Sequence, residues 1–140
     1  DSMIGYKDKY YENIGWMSAK LDTIANFIPS RITGVLIVIS ALIISADWKN
    51  SIRTMIKDHN KTSSLNAGYP IATMAGSLRV KLEKIRHYSV GEPYDPLSIE
   101  KCKCAITIMK LTAILSCFLI FIPLISVLFT LGWWNLLFGP

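Results

Sequence analysis

No charged side chain occurs from Leu111 to Pro140, and none from Ile32 to Ala46. Runs of that kind exclude ordinary solvent-facing helices. The apolar content is 51% with a mean hydropathy of +0.37, and its concentration in these runs argues for membrane spans over an oily soluble core. Cysteine is scarce: Cys102, Cys104 and Cys117 form no even disulfide framework and are compatible with a reducing compartment. Cys117 falls inside the second apolar run and reads as a small packing residue. Cys102-x-Cys104 lacks a third or fourth ligand nearby in sequence, which leaves a soft-metal site unsupported. No G-x-x-x-x-G-K-[ST] occurs, so there is no Walker A loop. Nucleic-acid motifs, internal repeats and low-complexity tracts are also missing. The chain opens on Asp1 with neither an initiator Met nor a signal-peptide n-region.

What is present predicts an all-α protein. We read it as an integral membrane helical protein with an amphipathic helix and a polar cytoplasmic loop between two spans. Residues 1–140 are expected to form one membrane domain. The spans are expected at about 30–46 and 109–132, and the polar loop and helix at 47–104. Leu21, Ile24, Ala25 and Ile28 lie at helical spacing with Lys20 and Asp22 off that face, predicting an amphipathic helix over Trp16–Phe27. Pro29 suits the first turn of the next helix, and Arg31 marks an interface. The first apolar run has fifteen residues from Ile32 to Ala46, or eighteen from Pro29. That length suits a short span or, alternatively, a buried or re-entrant helix. Asp47–Asp58 reads as that helix continuing out of the membrane, with Lys49, Arg53 and Lys57 on one face. Helix is expected again from Ile71 to Val80 or Ile85, on the spacing of Met74, Leu78, Leu82 and Ile85. Gly91, Pro93 and Pro96 mark a loop, and Ser98 caps a helix that runs into the second span. Pro123 is expected to kink that span, and Trp133 and Trp134 to form its aromatic belt. Residues 47–104 carry ten basic and six acidic side chains, against four of each in residues 1–31. This asymmetry puts the loop on the cytoplasmic side of a cell membrane.

The candidate site is the run Asp58-His59-Asn60-Lys61-Thr62-Ser63-Ser64-Leu65-Asn66-Ala67-Gly68-Tyr69-Pro70. So many hydrogen-bonding groups require water or a ligand. Asp58 can act as a base or bind Mg²⁺. His59 can move a proton near neutrality, and Lys61 offers a point charge to phosphate or carboxylate. Thr62, Ser64 and Asn66 can donate to phosphate oxygens, and Gly68 lets backbone N–H groups come close. The competing reading is a polar turn whose side chains only cap the following helix. Asp1-Ser2-Met3-Ile4-Gly5-Tyr6-Lys7 forms a second, weaker polar cluster.

Four separated blocks in one order carry a resemblance to a known family. They are Asp1–Lys7; Gly15-Trp16 with Ala19–Asp22; Ile28–Thr33; and the polar run, which resembles the signature D-x-x-K-T-x-S-x-N-A-G-x-P, continued by Met74–Leu78. The chain thereby resembles the CobD/CbiB family over most of residues 1–90. It departs from many members at Ser63, Leu65, Tyr69 and Ile71. The resemblance implies an integral membrane enzyme of cobalamin biosynthesis, adenosylcobinamide-phosphate synthase. That activity joins aminopropanol or its phosphate to the propionate carboxylate of adenosylcobyric acid, with ATP and Mg²⁺. Catalytic roles are then expected at Asp58, His59 and Lys61, with Asp58 also a Mg²⁺ ligand. Substrate and phosphate contacts are expected at Asp1, Ser2, Lys7, Thr62, Ser64, Asn66 and Gly68. It also implies helices before Asp1, the chain being a C-terminal portion completed by an N-terminal half, with the lipid bilayer as a further partner. The alternative function is a non-enzymatic membrane sensory or assembly protein on the same scaffold. A transporter is disfavoured because neither span carries an ionisable residue in its middle.

Overall fold

A computed structural model describes residues 15–130. Trp133 and Trp134, the end of the expected second span, and the Asp1–Lys7 cluster lie outside the described residues. The element order is α1 Gly15–Ala25, α2 Phe27–Ile43, α3 Trp48–Asp58, a 3₁₀ turn His59–Lys61, α4 Gly68–Leu78, β1 Leu82–Lys84, β2 Tyr88–Val90 and α5 Ile99–Thr130. The protein is mostly helical, but it is not all-α. The expected helix through Ile85 stops at Leu78 because Arg79 adopts a left-handed conformation (φ 60°). The chain then forms an antiparallel hairpin pairing Leu82 with Val90 and Lys84 with Tyr88.

α1 meets α2 almost end to end, and Pro29 falls in the first turn of α2 as expected. The α1 stripe is not buried: Leu21 and Ile24 are both exposed. α2 does not continue into α3. Ser45 takes the left-handed conformation (φ 58°), and the Ala46 N–H closes back on Ala41 O at 2.8 Å. Asp47 then caps α3 by accepting from the Asn50 N–H at 3.0 Å. The chain folds back, so α3 and α4 form a hairpin lying along α2. Met55 of α3 and Thr73 of α4 both reach Gly34, and Asn66 in the α3–α4 connection reaches Thr23 O. The polar run therefore sits beside the start of α2 rather than beyond its end.

α3 is a polar helix that buries Ser51, Thr54 and Asp58 against α4. Polar bonds tie the two helices together. Ser51 Oγ donates to Thr73 O at 2.8 Å, and Asn50 Nδ2 donates to Gly76 O at 2.9 Å. The crossing is close enough that a Cβ on Gly76 would lie 2.7 Å from Asn50 O and from Ser51 Cα. The apolar core joins Ile37 and Ala41 of α2, Leu78 and Val80 around the end of α4, and Ile108 of α5. Ser40 and Thr112 share a hydrogen bond at 3.0 Å between α2 and α5. Ser98 caps α5 as expected, accepting from the Lys101 N–H at 3.3 Å, and the helix runs unbroken through Pro123.

Among the described residues, two helical stretches are long and apolar enough to cross a membrane: Lys20–Ile43 and Ile99–Thr130. They differ in surroundings. A third of the most apolar window of the first is buried inside the protein, against 6% for the second.

Candidate functional site

Asp58, the last residue of α3, is 1% exposed. Its Oδ2 accepts the Gly91 N–H at 2.9 Å, and Lys61 Nζ lies 2.7 Å from its Oδ1 as an ion pair one helical turn on. Burial pushes the Asp58 carboxyl up, but the Lys61 ammonium and the Gly91 N–H outweigh it and hold the group below the ordinary carboxylate range. Asp58 is thus an ionised anchor. It pairs with the ammonium of Lys61, whose side chain remains 46% exposed at the surface of the loop.

Asp58 Oδ2 is taken by the Gly91 N–H, while the buried Oδ1 accepts no hydrogen bond and is faced by the Lys61 ammonium as an ion pair; no group of three His, Cys, Asp or Glu side chains suited to a metal occurs among the described residues. Asp58 in this arrangement does not fit the expected Mg²⁺ ligand, because coordination would require displacing Lys61.

His59 caps the end of α3. Its Nδ1 lies 3.1 Å from Met55 O and 3.0 Å from Ile56 O. Two carbonyls can only accept, so Nδ1 carries the proton and Nε2 is the nitrogen left for chemistry. The ring packs on Tyr69 with centroids 4.6 Å apart. The Arg31 guanidinium lies 4.4 Å from the centroid of the same Tyr69 ring and 3.3 Å from that of Phe27. Arg31 was expected only as an interface marker. The fold makes it the second cation of the site, through α2 lying beside the loop. The one sequence signal for it was its place within the block Ile28–Thr33.

The remaining loop residues mostly hold the loop. Thr62 Oγ1 donates to Ser64 O at 2.6 Å, and Ser64 Oγ accepts the Ala67 N–H at 3.4 Å. Gly68 is buried where a Cβ would stand 1.8 Å from His59 O and 2.9 Å from Thr62 Oγ1. Only glycine permits that approach. Asn66 donates through Nδ2 to Thr23 O at 2.9 Å, while its buried Oδ1 has no hydrogen-bond partner among the described residues. It borders a cleft of about 360 Å³ with Asp22, Asn26, Ser30, Thr33 and Ser64. Lys57 is turned away and pairs with Glu92 at 2.8 Å. The fold thus brings Asp58, His59, Lys61, Thr62, Ser64, Asn66 and Gly68 into one loop; Asp1, Ser2 and Lys7 lie outside the described residues.

The family described as CobD/Cbib protein matches residues 1–131. A relative from Methanothermobacter thermautotrophicus named probable cobalamin biosynthesis protein CobD is 46% identical over 82% of this chain and 39% of its own. One of the same name from Methanocaldococcus jannaschii is 41% identical over 96% of this chain and 40% of its own. The cobalamin biosynthesis protein CobD of Dehalococcoides mccartyi is 40% identical over 79% of this chain and 35% of its own. The chain therefore spans about two fifths of the length of these relatives. No solved structure matches. With a family match over nearly the whole chain and the signature residues gathered in one loop, the chain belongs to the CobD/CbiB family.

Proposed function

We propose that the chain is part of a membrane enzyme of cobalamin biosynthesis, an adenosylcobinamide-phosphate synthase. The observation that carries this reading is the buried, ionised Asp58 holding the Lys61 ammonium at the loop surface, with His59 Nε2 alongside. The reaction forms an amide between aminopropanol or its phosphate and the propionate carboxylate of adenosylcobyric acid. The carboxylate attacks the terminal phosphoryl of ATP and ADP leaves. The amine then attacks the acyl phosphate, the C–N bond forms and phosphate departs.

Both steps build negative charge on transferring oxygens, which Lys61 can offset, with Arg31 as a second cation nearby. His59 Nε2 is suited to accept the proton the amine loses. Asp58 is a weak base in this setting and serves to position Lys61. Thr62 and Ser64 keep Gly68 and the loop backbone in place, and Asn66 can accept a hydrogen bond from the substrate. Mg²⁺ belongs to the reaction as the ion accompanying ATP. The enzyme lies in the cell membrane as a multi-pass protein, with the polar loop on the cytoplasmic side where ATP is available; the basic excess of residues 47–104 supports that side.

The test is amide formation from adenosylcobyric acid, the amine and ATP by the full-length protein in membranes. Lys61→Ala should lower the rate by about 10²–10³-fold, as loss of an oxyanion-stabilising donor does, with the protein still present in the membrane at its usual level. A full rate in that variant would remove Lys61 from the mechanism. No product from the unaltered protein would leave the sensory or assembly reading in its place.

A further inference from the structure

Ile85, at the tip of the β1–β2 hairpin, is 81% exposed, more than any other large apolar side chain among the described residues. It is flanked by Lys84, Arg86 and His87, all exposed. The turn is fixed by Arg86 in the left-handed conformation (φ 64°) and by the His87 N–H donating to Lys84 O at 2.9 Å. Lys81 is paired with Glu83 at 2.9 Å, but Lys84 and Arg86 have no ion-pair partner among the described residues.

The base of the hairpin is firmly seated. Val90 is buried against Ala72 and Ala75, and Leu82 packs on the core that contains Ile108 of α5. Ile108 lies two residues before Lys110, the last charge before the twenty uncharged residues that run to Thr130. The hairpin is therefore rooted at the level where α5 becomes free of charge. At about 3.3 Å per residue, its three-residue strands carry the tip roughly 10 Å from that root. An apolar tip flanked by unpaired cations, within about 10 Å of this level, has the chemistry of the layer between lipid headgroups and acyl chains.

We infer that the tip of this hairpin docks on an anionic bilayer surface. Ile85 enters the acyl boundary, and Lys84 and Arg86 hold lipid phosphates. The inference rests on α5 crossing the bilayer and not on the chemistry assigned to the loop. A docked hairpin would also tie Gly91, the backbone partner of Asp58, to the membrane surface.

The experiment places a nitroxide at Ile85→Cys in the full-length protein, with Cys102, Cys104 and Cys117 replaced by Ala. The protein is reconstituted in nanodiscs of phosphatidylcholine alone or with one third phosphatidylglycerol. In the anionic discs the label should gain collisions with oxygen and lose them with a water-soluble nickel chelate. Lys84→Glu with Arg86→Glu should reverse this, loss of each basic side chain changing the docked-to-undocked ratio by about five-fold. A label equally open to the chelate in both discs overturns the inference. So does protection that is indifferent to lipid charge and to the reversal, which would mark a protein segment as the occupant. Ile85 is exposed, so its replacement leaves the core intact, and unchanged helicity by circular dichroism checks this.

Discussion

Asp58 shows how a single buried carboxylate organises the site. Its charge is tolerated because one oxygen accepts a backbone N–H and the other faces an ammonium. Asp58→Asn keeps an acceptor for Gly91 but removes the ion pair. Since Lys61 is nearly half exposed, the expected cost is modest, about 1–2 kcal/mol. Folding lowers the carboxyl's pKa, so this stabilisation is complete above the unfolded value of 3.8 and disappears as pH falls through the lower folded value. Thermal unfolding of the two proteins in detergent should show a constant gap near neutrality that starts to close below pH 3.8. A gap independent of pH through the acid range would mean that the charge contributes nothing. That Asp58, His59 and Lys61 are candidates for chemistry was legible from residue type and density. That Asp58 is buried between the Lys61 ammonium and the Gly91 N–H was not, because Gly91 lies thirty-three residues away in the chain.

At the scale of elements, the α3–α4 hairpin is the scaffold that aims the loop. Its weak point is Gly76, where the two backbones meet. Gly76→Ala should push the helices apart and cost about 1–3 kcal/mol, read as a lower unfolding midpoint with helicity retained. An unchanged midpoint would show that the crossing has slack. The ends of α2 and α4 were misread for one reason. Both close on a left-handed residue that is not glycine, Ser45 and Arg79, so the usual stop signal is missing from the sequence. The spacing of Leu78, Leu82 and Ile85 continued a helical pattern by coincidence, since three-residue strands offer too few alternations to announce themselves. Pro29 and Ser98, by contrast, act through local chemistry and were read correctly.

For the whole molecule, the two apolar helices have different duties. α5 presents Phe118, Leu119, Ile120, Phe121 and Ile122 without cover, whereas α2 is sheathed on one flank by a hairpin carrying exposed Lys49, Arg53 and Lys57. Leu119→Arg should cost roughly 2.5–3.5 kcal/mol of insertion at a helix centre. Full-length protein carrying it should shift from the membrane fraction toward degradation or aggregation. Normal membrane recovery would argue against α5 as a span. The Ser40–Thr112 bond links the two helices, and a double-mutant cycle with Ser40→Ala and Thr112→Val should return a coupling of about 0.6 kcal/mol. A coupling of zero would mean that packing at Ile37, Ala41 and Ile108 alone holds them together. By itself the sequence determined the apolar segments, the starts of α2 and α5 and the candidate residues for chemistry, because hydropathy, capping and functional groups are local properties. Only the tertiary structure decided that the chain folds back along α2, bringing Arg31 to the loop and giving Asp58 a distant backbone partner. Those outcomes follow from backbone reversals at non-glycine residues and from contacts between segments far apart in the chain, which leave no periodic trace in the sequence.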